Sequence, residues 1–136
     1  MRRVYLDTCC LIYLIEDVPG FTDPMRALLA DNPDVILCVS PLVQLEALVK
    51  PLAEGNDALA SDYRDFIAEQ QWLSIGDPEF EMATHLRANH RLKTPDAIHL
   101  ATATRHACTE LWTNDDRLNQ ATTNIPINIQ TPNLKT

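Results

Sequence analysis

The chain alternates short, wholly apolar runs with longer stretches that return to apolar residues every three or four positions. Residues 3–7, ending Val4-Tyr5-Leu6-Asp7, read as a buried strand, and 9–15 as a short helix. Residues 23–31 read as a second helix, opened by Asp23-Pro24. The run Val35-Ile36-Leu37-Cys38-Val39 is rich in β-branched residues and predicts a second strand. Ser40 then suits an N-cap and Pro41 the first position of a helix reaching about residue 53. A helix from Asp57 to Gln71, a short strand over 72–75 and a helix from Asp77 to about residue 91 follow. Thr94-Pro95 starts another helix, to about residue 107. Glu110–Thr113 reads as a strand, Asp115–Gln120 as a helical turn and Ile127–Ile129 as a last strand. Strands alternating with helices predict an α/β fold on a mainly parallel sheet of about five strands. No repeat, low-complexity segment or linker interrupts the order, so a single domain is expected over 1–131, with a loose tail over 132–136.

Four acids stand where this pattern gives them something to do. Asp7 closes the first apolar run. A desolvated carboxylate without partners is costly inside a sheet, whereas ligands bind at the carboxyl ends of parallel strands. Asp96 falls in the first turn of the 95–107 helix, where free N–H groups and the helix dipole favour a carboxylate. At 100° per residue it also lies in the apolar arc of Ala97, Leu100, Ala101, Ala103 and Ala107. Glu46 borders the stripe Leu42, Leu45, Leu48, Val49 and Leu52, and its plain alternative is a surface pair with Lys50. Asp115, with Asp116 beside it, follows the strand that ends at Thr113, and a turn or helix cap would also account for it.

Strand ends and helix starts of an α/β sheet share one edge, so the four acids can converge. Two carboxylates ~4 Å apart repel by about 4 kcal/mol at an effective dielectric of 20. Converging acids therefore call for cations, and all-oxygen ligation suits Mg²⁺ or Mn²⁺ better than Zn²⁺. Such ions polarise phosphoryl oxygens and activate water, which is the chemistry of phosphodiester hydrolysis. The histidines fit less well: His85 and His90 read as members of a basic patch, His106 as a surface residue and His99 as a packing residue.

The remaining totals narrow the classes. Three glycines among 136 residues, with no Gly-rich phosphate motif, argue against a nucleotide-binding loop. Cys9, Cys10, Cys38 and Cys108 form no C-x-x-C and are expected to be reduced, in a cytoplasmic protein. No signal-peptide layout or membrane-length apolar run is present. The net charge of −8 is concentrated in residues 54–81, which hold eight acids against one base, Arg64. A basic cluster follows: His85, Arg87, His90, Arg91 and Lys93. Local charge governs phosphate contact, so the low overall pI leaves a nucleic-acid partner open.

Val4-Tyr5-Leu6-Asp7-Thr8, Glu46 in a helix begun by Ser40-Pro41, the segment Thr94-Pro95-Asp96-Ala97-Ile98-His99-Leu100-Ala101-Thr102-Ala103 and Leu111-Trp112-Thr113-Asn114-Asp115 together resemble the PIN domain. Within it, the chain is most similar to VapC-type toxins of toxin–antitoxin pairs, across essentially its whole length. The resemblance implies a three-layer α/β/α domain and a Mg²⁺- or Mn²⁺-dependent endoribonuclease. It further implies a homodimer, and inhibition by a cognate antitoxin. It matches Asp7, Glu46, Asp96 and Asp115 to the family's acidic quartet. Asp7 and Asp96 would bind the principal metal, Asp115 would complete its shell, and Glu46 would handle the attacking water or a second metal. Thr8, Thr113 and Asn114 would support these acids, with Asp116 as an additional or substitute ligand. Arg87, Arg91 and Lys93 would contact RNA phosphates, Arg87 and Arg91 lying one turn apart on one helix face. Two rival expectations remain: a non-cleaving PIN-like module that binds RNA or protein, and a small hydrolase using Cys9 as nucleophile.

Overall fold

The computed structural model of the chain describes residues 2–115, Leu118 and the backbone of Asn128–Gln130. In chain order the elements are β1 (Arg2–Leu6), α1 (Thr8–Ile15), α2 (Thr22–Ala30), β2 (Val35–Val39), α3 (Pro41–Ala53) and α4 (Asp57–Ala68). They continue with β3 (Gln71–Trp72), α5 (Asp77–His90), α6 (Thr94–Arg105), β4 (Glu110–Trp112) and β5 (Asn128–Gln130). The five strands form one sheet in the order β3-β2-β1-β4-β5, and every neighbouring pair is parallel. Asp116, most of the expected turn over 115–120, Ile127 and the tail over 132–136 lie outside the described residues.

The central strand shows why the layers form. Val4, Tyr5 and Leu6 of β1 are all fully buried, so both faces of the sheet are covered. The connections β1–β2 and β2–β3 run towards one edge, and β3–β4 runs back past β1. Right-handed crossovers then put α1–α4 on one face and α5–α6 on the other. At the amino end of the sheet, Arg2 donates from Nε and Nη2 to Glu110 at 2.9 and 3.0 Å, tying β1 to β4. That fork holds the Glu110 carboxyl below its ordinary range.

Three elements differ from the sequence pattern. The third strand is Gln71–Trp72 rather than 72–75, because Gln71 and Trp72 pair with Cys38 and Val39 at the sheet edge. Helix α3 is rotated relative to its apolar stripe. It buries Val43, Ala47, Leu48 and Pro51, while Leu45, Val49 and Leu52 are more than half exposed. The Ser40 cap fixes where the helix starts, small Ala47 and Pro51 permit close approach, and this phase carries Glu46 inward. Helix α6 is buried on every side over Ala97–Ala103 rather than along one stripe, and it ends at Arg105. Ala107 lies beyond it in the left-handed region, with φ 59°.

Leu111 sits on β4, beside the central strand, with no exposed surface. Leu111→Ala should lower the unfolding free energy by about 2–5 kcal/mol. Urea denaturation measures this, and a loss well under 1 kcal/mol would contradict the placement of β4 in the core.

Candidate active site

β1 and β4 lie side by side, yet the chain leaves them in opposite directions, which opens a crevice at their carboxyl ends. Asp7 is the first residue past β1 and the N-cap of α1. Its Oδ1 accepts from the Thr8 backbone N–H at 2.7 Å, an acid meeting the unpaired donors of a helix start. Its Oδ2 accepts from Thr113 Oγ1 at 2.6 Å, just after β4. The Asp7 backbone N–H also donates to the Trp112 carbonyl at 3.0 Å. The carboxylate is thus held from both strands, with its side chain 13% exposed.

Glu46 reaches the same place from α3. Its Oε1 accepts from Thr8 Oγ1 at 2.8 Å and lies 2.6 Å from His99 Nε2. The surface pair with Lys50 is not formed; Glu46 turns inward with its side chain 30% exposed. The His99 hydrogen bond is the largest influence holding the Glu46 carboxyl below its ordinary range, and it outweighs burial. His99, from α6, is 2% exposed and has both ring nitrogens engaged. Nδ1 lies 2.6 Å from Tyr5 Oη, which is 2.8 Å from Ser40 Oγ. His99 Nε2 also lies 3.7 Å from Asp7 Oδ1.

Asp7, Glu46 and His99 each offer one ligand atom, all within 4.8 Å of one another. Among the described residues this is the group tight enough to hold a metal ion. Asp96 stands in the first turn of α6, three residues before His99 and so on the same side of the helix, half-buried but outside that group. Asp115 follows Thr113 by two residues and donates its backbone N–H to Thr113 Oγ1 at 3.1 Å.

Of the expected supporting residues, Thr8 and Thr113 each hold an acid. Asn114 instead donates to Tyr13 Oη at 3.2 Å. Asp116 lies outside the described residues. The basic residues span the end of α5 and its connection to α6. Arg87 donates Nε to the Leu92 carbonyl at 2.9 Å. Arg91 is the left-handed C-cap of α5, φ 56°, so the expectation that it shares a helix face with Arg87 fails. Lys93 is the N-cap residue of α6 and is exposed. Cys9 Sγ lies 3.8 Å from Asp7 Oδ2, so its thiol faces a carboxylate rather than the imidazole a nucleophilic cysteine needs.

His99 is the residue that apolar periodicity misplaced. It is buried, as a packing residue would be, but its role there is polar. The available signal was its spacing of three from Asp96, which sets the two on one side of a helix. The donor set fits a hard divalent cation: carboxylate oxygens from separate elements, partly satisfied by hydroxyls and still reached by solvent.

A family model described as PIN domain matches residues 4–123. The chain is similar to a chain of a toxin–antitoxin complex from Klebsiella pneumoniae, at 26% identity, with 95% of this chain and 97% of that one covered and a TM-score of 0.74. VapBC2 from Rickettsia felis, bound to a DNA fragment from its promoter, aligns at 14% identity over 94% and 97% of the chains, with a TM-score of 0.77. The sarcin–ricin-loop-cleaving toxin VapC20 of Mycobacterium tuberculosis aligns at 14% identity over 87% and 94%, with a TM-score of 0.73. At 14% identity the latter two share the fold. No curated protein matches the chain.

The lowered Glu46 pKa makes a pH prediction. A carboxyl held below its ordinary value of 4.5 stabilises the fold above that pH and loses its contribution as the pH falls through the depressed value. The stability advantage of the metal-free protein over Glu46→Gln should therefore be constant near neutrality and close below about pH 4.5. Urea midpoints from pH 7 to pH 3 measure it, and an advantage that grows on acidification would refute the assigned direction.

Proposed function

The chain belongs to the PIN domain family, and from that membership we propose that it is a divalent-metal-dependent endoribonuclease, the toxin of a type II toxin–antitoxin pair. The observation that carries this reading is the meeting of Asp7 and Glu46, from β1 and α3, at the carboxyl end of the central strand. Its likeness to a chain of the Klebsiella pneumoniae toxin–antitoxin complex supports the toxin assignment and an inhibitory protein partner. The exposed apolar face of Leu45, Val49, Leu52 and Phe80 supports assembly into a homodimer.

In this reading Asp7 and Asp96 hold the principal cation, and Asp115 completes the acidic set, with Asp116 as the alternative. Mg²⁺ or Mn²⁺ supplies charge on a phosphoryl oxygen and a more acidic water. Thr113 keeps Asp7 Oδ2 in place, and Thr8 fixes both acids, Asp7 through its backbone and Glu46 through its hydroxyl. Glu46 is ionised at neutral pH and so is competent to orient the attacking water and accept its proton. Arg91 and Lys93, exposed just before Asp96, together with Arg87, give phosphates a cationic approach. The described helices include none long and apolar enough to cross a membrane, which accords with a cytoplasmic enzyme.

The test is cleavage of total cellular RNA with Mg²⁺ or Mn²⁺ and with EDTA, by wild type and Asp7→Asn. Cutting should need the metal and fall more than about a hundredfold in the variant, since a metal supplies several kcal/mol of transition-state stabilisation. Folded protein that cuts nothing, freed of any co-purified inhibitor, would favour the non-cleaving module. Cutting unchanged by EDTA or by Asp7→Asn would defeat the proposal.

A further inference from the structure

The chain Ser40–Tyr5–His99–Glu46 admits one arrangement of hydrogens that satisfies each member. Glu46, as a carboxylate, can only accept. Its Oε1 is 2.6 Å from His99 Nε2, so Nε2 carries the hydrogen and donates it. With the hydrogen on Nε2, Nδ1 is left to pair with Tyr5 Oη, 2.6 Å away, which donates to it. The hydroxyl of Ser40, 2.8 Å from Tyr5 Oη, donates in turn, while Ser40 Oγ accepts from the Val43 backbone N–H at 3.4 Å. Every donor runs the same way, from the start of α3 through β1 and α6 to the acid.

The alternative tautomer fails on the same count: an Nδ1–H ring would set the Nε2 lone pair against a carboxylate oxygen 2.6 Å away.

We propose that His99 is a positioning residue: an Nε2–H donor, held by Tyr5, that orients the Glu46 carboxylate and does not itself ligate the metal. Both its nitrogens are spent, Nε2 as donor and Nδ1 as acceptor, so its place within the 4.8 Å group supplies no free ligand atom. The hydrogen bonds from Thr8 and His99 both fall on Glu46 Oε1, which leaves Oε2 for water or the cation. The consequence for catalysis rests on the nuclease reading above; the proton arrangement does not.

The first measurement is long-range ¹H–¹⁵N correlation of His99 in metal-free wild type at neutral pH, then at saturating Mg²⁺. The expected result is an Nε2–H tautomer whose Nε2–H proton persists when Mg²⁺ binds. In Tyr5→Phe the ring should keep the Nε2–H tautomer, because the Glu46 carboxylate still takes that hydrogen. The second measurement is Mg²⁺ affinity by calorimetry. His99→Leu should weaken it by about 10–100-fold, and His99→Gln, whose amide N–H can stand in for Nε2–H, should recover most of that loss. An Nδ1–H tautomer, disappearance of the Nε2–H proton on Mg²⁺ addition, or a Gln variant as weak as Leu would each overturn the proposal. If RNA is not cut but these results hold, the nuclease reading fails and the positioning role stands as the architecture of a cation site.

Discussion

A carboxylate at the end of a central parallel strand has no partner within the sheet, and the site is organised around supplying one. Asp7 accepts from the helix that follows it and from Thr113 beyond the neighbouring strand. Those two bonds close α1 onto β1 and set the end of β4 against it. Thr8, brought into place by the same turn, reaches Glu46. From one acid the contacts thus extend into three elements, and the crevice between β1 and β4 acquires its walls. Burial of an acid in this manner is tolerable because hydrogen bonds replace much of the hydration it gives up.

The second organising contact is the buried polar chain on the other side of Glu46. A histidine with 2% exposure between a tyrosine and a carboxylate is a costly object if any hydrogen bond is missing. Here the hydroxyl of Ser40 serves twice, capping α3 and feeding Tyr5. The start of α3 is therefore coupled to the orientation of its own Glu46 through two other elements. This accounts for the phase of α3, which leaves Leu45, Val49 and Leu52 outside in favour of an inward Glu46.

Much of this was readable in the sequence, and the exceptions share a cause. The alternation of elements, the parallel sheet, the Ser40 cap and the place of Asp7 at a strand end all follow from local chemistry acting over a few residues. What periodicity could not give was which face of α3 turns inward, because its leucines outweigh Val43, Ala47 and Pro51 in any count of apolar residues. Periodicity assigns His99 to packing because burial and hydrophobicity coincide in most helices. Its partners lie 53 and 94 residues away, beyond any local pattern. Spacing sets Arg87 and Arg91 on one helix face, whereas the left-handed turn at Arg91 breaks that face. Local spacing predicts elements well and says little about contacts that close across the whole chain.

The strand order also governs what the polypeptide can do while it is being made. β1 emerges first and finds β2, but its other neighbour, β4, is synthesised after both intervening helical layers. The bond from Thr113 to Asp7 spans 106 residues. Until that segment has left the ribosome, β1 keeps one open edge, and Asp7 lacks its second support. A nascent chain therefore carries Asp7 and Glu46 before His99 or Thr113 can reach them. Closing the sheet beside β1 and giving Asp7 its second support therefore become a single event, which waits for β4 and Thr113.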